Sequence, residues 1–319
     1  GISVVGLWPR RKLYASFAVA VILAWIFLPS GIKPPVVGTL VYEKESAYNY
    51  IQVVQESTTT ELILNEGQAI HSVYNSQDDL THGYWDYLLV ADAFRPAQSI
   101  EPAPRSIAIL GLAGGTSARQ YRIAYGDQID ITGVEIDPDI LAAGHRYFHL
   151  GDARAHEVLG DARYWLATQA GRYDVVLLDA YRQPYIPFHL TTREFFQQVR
   201  DHLNPGGVTA VNVGRTATDF RLVDAIASTM AAVYPNVYLV DDPTFTNTLV
   251  FGTSEPVTLG DIQHNLALVT APLATQAAQE TLTGGKLRPS PYHGQVFTDD
   301  LAPVERLIDQ IIFNYVTGR

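Results

Sequence analysis

Ser106-Ile107-Ala108-Ile109-Leu110 runs straight into Gly111-Leu112-Ala113-Gly114-Gly115-Thr116, and a helical pattern follows. The same unit recurs downstream. A second apolar run ends in Val134-Glu135-Ile136-Asp137, a third segment ends in Gly160-Asp161-Ala162, and a fourth, Tyr173 to Leu178, ends in Asp179. Strands that alternate with helices, each closing on glycine or a carboxylate, describe a doubly wound sheet with a nucleotide site at its carboxyl edge. Val175-Val176-Leu177-Leu178 reads as a strand buried on both faces.

Each piece has a local physical meaning. Gly111, Gly114 and Gly115 let the backbone turn sharply and approach a ligand before the helix begins. Glu135 lies 24 residues after Gly111, near the roughly 20-residue spacing of an acid that accepts from ribose hydroxyls. Asp161 is placed to take the amino group of an adenine edge, and Asp179 ends a strand where ligands bind in such sheets. A dinucleotide fingerprint, G-x-G-x-x-G, is broken by Ala113 and Thr116, and no Gly-Lys-Ser/Thr phosphate loop exists. Without a fixed positive charge beside them, these glycines suit a cationic adenosyl ligand better than a pyrophosphate. A tight strand-to-helix turn alone would also account for the glycines. Three carboxylates at successive strand ends favour the adenosyl site.

Composition narrows the classes. The chain has 319 residues, 47% of them hydrophobic, enough for a sizeable core. A net charge of -11 argues against a nucleic-acid partner. The absence of cysteine removes disulfides, thiolate zinc sites and cysteine nucleophiles. Among nine histidines only His145 and His149 have helical i, i+4 spacing; with no third ligand, no metal site is read.

Three domains are expected. Residues 1–32 carry Arg10-Arg11-Lys12 followed by Leu13 to Pro29, apolar apart from Ser16 and the Tyr14 hydroxyl. Its 17 residues would cover about 25 Å, just short of a bilayer core of about 30 Å. Trp8, Tyr14 and Trp25 would sit at the interfaces. A signal peptide also starts this way, but no small-x-small site follows Pro29. The expectation is a single-pass transmembrane helix and a membrane localisation, with the side of the globular part left open. Residues 33–95 read as a small β-rich domain of hairpins: Thr39 to Tyr42, Tyr48 to Gln55, Thr60 to Leu64 and Ile70 to Tyr74, with a turn at Asn65-Glu66-Gly67. A helix should run from Tyr84 to about Phe94. Residues 96–319 form the nucleotide-binding domain. Tyr181 to Thr192 reads as a lid-like loop, and Thr192 as a helix cap. The apolar runs Val237 to Val240 and Thr248 to Phe251 make a hairpin after five strand–helix units. That predicts an α/β fold with the seven-stranded, Rossmann-like sheet of methyltransferase-type enzymes. A helical excursion, a polar loop and a final helix from Val304 to about Tyr315 complete the chain.

These residues resemble the spermidine synthase family of polyamine aminopropyltransferases over about residues 39 to 315. The likeness is carried by Ser46-Ala47-Tyr48-Asn49-Tyr50-Ile51, Leu64-Asn65-Glu66-Gly67 and Tyr84-Trp85-Asp86, then Gly133-Val134-Glu135-Ile136-Asp137, Gly160-Asp161-Ala162 and Leu178-Asp179-Ala180-Tyr181. The resemblance implies transfer of an aminopropyl group from decarboxylated S-adenosylmethionine, a cosubstrate and not a permanent cofactor, to a diamine such as putrescine. It implies that Glu135 holds the donor's ribose and Asp161 its adenine. Asp179 and Tyr84 would be catalytic, with Asp86, Asn49 and Tyr181 around the acceptor.

The departures are specific. Ala113 stands where the family's glycine loop carries an aspartate for the donor's amine, and Arg182 where a second aspartate follows Asp179. Asn49 and His71 stand where glutamines are expected. Three readings stay open: an active aminopropyltransferase, a catalytically inactive subunit of a membrane complex, and a same-fold transferase with another acceptor. A small-molecule amine, the membrane and a homodimer or complex partner are the expected associations.

Overall fold

Thr59 to Leu64 alternates half-buried and buried positions, with Thr60, Leu62 and Leu64 inward, as expected of a strand with one solvated face. In the computed structural model it is one of four antiparallel strands. The structure describes residues 11–27, 35, 37–65, 69–98, 103–182, 184–242, 244, 246–283 and 286–318. The strands are β1 (Thr39–Glu45), β2 (Tyr50–Glu56), β3 (Thr59–Leu64) and β4 (Ala69–Asn75), in the order β1-β2-β3-β4. Glu66 and Gly67 of the expected turn lie outside the described residues.

The N-terminal helix, α1 (Arg11–Phe27), is a unit by itself. It has 17 residues and includes Arg11 and Lys12. No helix among the described residues is long and apolar enough to cross a membrane. This overturns the expected transmembrane helix and the membrane localisation drawn from it. The apolar part of α1 runs only from Leu13 to Phe27, about 22 Å at 1.5 Å per residue, against a core of about 30 Å. Trp8 and Pro29 fall outside the described residues.

The expected helix through Phe94 breaks into α2 (Tyr84–Leu88) and a tight turn over Ala91–Phe94. The carbonyls of Leu88 and Leu89 accept from the hydroxyls of Tyr121 (2.7 Å) and Tyr125 (3.0 Å) instead of continuing the helical ladder. Beyond it come β5 (Ser106–Leu110), α3 (Thr116–Tyr125), β6 (Asp130–Glu135), α4 (Pro138–Tyr147), β7 (His156–Leu159), α5 (Ala162–Thr168) and β8 (Tyr173–Leu178). Then follow α6 (Arg193–Asp201), β9 (Leu203–Gly214), α7 (Arg221–Ala231), β10 (Asn236–Asp241) and β11 (Asn247–Thr253). The chain goes on through α8 (Leu259–Leu268), α9 (Pro272–Leu282), β12 (Leu287–Pro289) and α10 (Val304–Thr317).

The second sheet has the order β12-β10-β11-β9-β8-β5-β6-β7, so it has eight strands where seven were expected. The extra strand is β12, three residues paired antiparallel to β10 at the edge, with Arg288 ion-paired to Asp241. Three residues are too few to show a period, so this segment reads as loop. Alternate residues along the parallel strands feed two cores. Ile107, Ile109, Val175 and Leu177 pack with α2, α3, α8 and α9; Ala108, Leu110, Val176 and Leu178 pack with α5, α6, α7 and α10. The small sheet covers α4 through Ile51, Val53, Leu62 and Leu64 against Ile140, Ala143 and Phe148.

The parallel strands end level. Leu110 is opposite both Val134 and Leu178, and Glu135 is opposite Leu159. Gly111 has φ +95°, and a Cβ there would lie 2.5 Å from the Asp179 carbonyl oxygen, a backbone atom that cannot swing aside. Gly126 also has positive φ (+72°) but faces open space. Gly111→Ala is therefore expected to cost about 2–4 kcal/mol, and Gly126→Ala about 1 kcal/mol. Urea unfolding of the two variants measures the difference, and equal losses would refute the close-approach argument.

Candidate active site

At the carboxyl edge the glycine loop and Glu135 hold each other. Glu135 Oε2 accepts from the Ala113 amide at 2.9 Å, while Oε1 accepts from the Ile136 (2.9 Å) and Asp137 (3.1 Å) amides. Burial pushes the Glu135 carboxyl up, and the three amides oppose that shift. Ala113 adopts φ +49°, left-handed for a residue with a Cβ. The Gly114 amide donates to Ser72 Oγ at 2.8 Å, and Thr116 Oγ1 both accepts from and donates to the Val73 main chain at 2.9 Å. Strand β4 is thus sutured to the loop. Gly115 caps α3.

Asp161 caps α5 through the Tyr164 amide (2.8 Å), and its Oδ2 meets His189 Nε2 at 2.9 Å. Burial pushes its carboxyl up, but the Tyr164 amide and His189 outweigh it and hold the group below the usual carboxylate range. Its neighbour Arg163 grips Asp299 with both terminal nitrogens.

Asp179 follows β8. Asn212 Nδ2 donates to its Oδ1 at 2.8 Å and the Tyr84 hydroxyl to its Oδ2 at 3.2 Å. Burial pushes the carboxyl up to about 7; the two donors limit that rise. Burial, with Asp179 alongside, raises the Tyr84 hydroxyl well above its ordinary value, so it remains a donor. Tyr181 donates to the Asn212 carbonyl (3.0 Å) and accepts from the Gly214 amide (2.9 Å). Tyr84, Tyr181 and Asn212 line a half-open cavity of about 330 Å³ together with Ile70, His71, Arg215 and, from α10, Ile308, Ile311 and Ile312, while Asp179 lies behind this wall, held by Tyr84 and Asn212. A carboxylate titrating near neutrality next to the wall of a mainly apolar space can attract an ammonium and accept its proton.

The structure brings Tyr84, Asp179 and Tyr181 together, and sets Gly111, Glu135 and Asp161 along the same strand edge. Two other predicted residues lie elsewhere. Asp86 is buried and accepts from the Thr81 amide and hydroxyl, the His82 amide and Gln120 Nε2, at 2.6–3.0 Å. Four donors make it a brace for the loop before α2, and it does not line the cavity. Asn49 binds Asp137 Oδ2 (3.0 Å) and receives Asn65 Nδ2 (2.9 Å), joining β2 to the start of α4. Arg182 is exposed, pairs with Tyr185 only through its main chain, and is absent from the cavity wall. The arginine that does reach the wall is Arg215, tied to Thr248 Oγ1 (3.0 Å) and the carbonyls of Thr216 (3.0 Å) and Asp242 (3.2 Å). Asn212 escaped notice, although an asparagine inside Val208 to Val213 is a polar residue in a buried strand. His189 and Ser72 carry no comparable signal, since their partners are distant in sequence. His145 and His149 turn to different carboxylates, Glu157 and Asp152.

Residues 96–257 match the model of the spermine/spermidine synthase domain. The chain is 33% identical to a probable polyamine aminopropyl transferase of Bifidobacterium longum, over 92% of this chain and 70% of that protein. Its fold is similar to that of a probable spermidine synthase from Corynebacterium glutamicum, with a TM-score of 0.63 at 19% identity, covering 82% of this chain and 96% of the other. A spermidine synthase in complex with the transition state analogue AdoDATO gives 0.62 at 18% identity, covering 77% and 85%. With half its length inside the family domain and a relative of this identity matched over most of both chains, the protein belongs to the spermine/spermidine synthase family.

Proposed function

We propose that the protein is an aminopropyltransferase that moves the aminopropyl group of decarboxylated S-adenosylmethionine onto a primary amine such as a diamine. The observation that carries this reading is Asp179, with its carboxyl near 7, held by Asn212 and Tyr84, two residues that line a half-open cavity. The acceptor amine, with an ordinary pKa of about 10, enters protonated. Asp179 takes its proton, and the freed nitrogen attacks the methylene carbon next to the sulfonium. A C–N bond forms, the C–S bond breaks, and its electron pair neutralises sulfur, releasing methylthioadenosine. Glu135 serves the donor's ribose and Asp161, beside His189, its adenine. Gly111, Gly114 and Gly115 let the loop lie close to the donor. Tyr181 buttresses the acceptor wall.

The exposed position of Arg182 favours an active enzyme over an inactive subunit, because a charge outside the cavity is screened by water. Its carboxylate-to-cation change therefore falls where it costs the acceptor little.

Two outcomes follow for the base. Asp179→Asn should lower kcat by at least about 100-fold while leaving methylthioadenosine affinity, read by calorimetry, within about threefold; full turnover in this variant would remove Asp179 from the mechanism. The pH profile has a definite sign. A base must be unprotonated, so kcat/KM should fall as pH drops through about 7. The Tyr84 hydroxyl stabilises the charged carboxylate, so Tyr84→Phe should move that limb to higher pH. A limb that stays put, or moves down, contradicts the assignment.

A further inference from the structure

The groups that touch Asp179 are already committed. Tyr84 donates to it, Asn212 donates to it and accepts Asn247 Nδ2 at 2.7 Å, and the Tyr181 hydroxyl is occupied on both sides. His71 is the exception in the same wall. It projects from β4 beside Tyr181, ring centroids 6.5 Å apart, and its Nε2 is shielded from solvent with no hydrogen-bond partner among the described residues. A buried nitrogen left unpaired is destabilising, and such exceptions call for a missing partner. Burial also pushes the imidazole down to about 4, so at neutral pH it carries no charge that would repel a cation. Among the described residues, the cavity wall contains no carboxylate.

We infer that His71 is the acceptor-positioning residue, its Nε2 accepting a hydrogen bond from the ammonium of the amine whose proton goes to Asp179. Two acceptors then hold two N–H bonds of the incoming nitrogen. The lone pair exposed by deprotonation first faces the Asp179 carboxyl, and a turn of the amine about its C–N bond brings it to the donor carbon. An imidazole with its proton on Nδ1 presents the required lone pair at Nε2. The inference rests on the aminopropyl-transfer reading and adds one residue's task to it.

The test uses the full chain with decarboxylated S-adenosylmethionine and putrescine as the probe amine. His71→Leu should raise the KM for putrescine at least tenfold while the donor KM stays within about twofold. His71→Gln, which offers an amide oxygen in a similar volume, should recover most of that loss. An unchanged putrescine KM in the Leu variant, or equal rises for both substrates, overturns the inference. If the Leu variant does not fold, His71→Met, an unbranched side chain without a strong acceptor, is judged by the same criteria. Calorimetric titration of putrescine separates the two claims. If the parent releases no methylthioadenosine, aminopropyl transfer fails, and the putrescine Kd still decides His71: a tenfold weakening in the Leu variant supports it. Equal binding by both proteins, or no binding by the parent, overturns it.

Discussion

Everything in the catalytic half hangs on how closely two strand ends can approach. The Asp179 amide donates to the Leu110 carbonyl at 2.9 Å, and the next residue, Gly111, lies against the Asp179 main chain where no side chain could stand. That contact brings the end of β8 level with the end of β5. It also sends the glycine loop sideways toward Glu135, which clasps the Ala113 amide. Adjacent parallel strands lie about 4.8 Å apart. Glu135 on β6 and Asp179 after β8 are separated by one strand, so about 10 Å lies between their backbones, a span suited to a ligand laid across the sheet edge.

The electrostatics are built from neutral neighbours. Asp179 has an amide and a phenol beside it in place of a cation, so burial dominates and its proton affinity sits near neutrality. Glu135 is tempered by main-chain amides. Asp161 is the contrasting case, with the Tyr164 amide and His189 drawing it down. Three carboxylates on one edge thus behave differently because of what donates to them.

Much of this arrangement is legible in the residues themselves. Runs such as Val175 to Leu178 can only be doubly buried strands, and glycine or acid at each end marks the functional edge. The hairpin of β10 and β11 separates this sheet from a dinucleotide fold. What stays hidden depends on partners far along the chain. Asp86 looks like a site acid, but the Gln120 and Thr81 donors make it structural. Arg182 looks like an intruder until its exposure is known, while Arg215 lies in the wall unannounced. The short β12 has no period to read. The apolar N-terminal run overstated its reach, since α1 includes two basic residues within its 17.

Strand β4 carries two neighbouring residues with separate duties. Ser72 fastens the glycine loop at Gly114, and His71 lines the cavity together with Tyr84 and Tyr181. Ile70 pairs with Ile63 and Ser72 with Leu62, so His71 is the extra residue of a bulge, and one peptide joins the fastening of the glycine loop to the cavity wall. A bulge loosens the ladder locally, so the wall residue and the loop's anchor share the one stretch of β4 whose backbone is free of regular pairing.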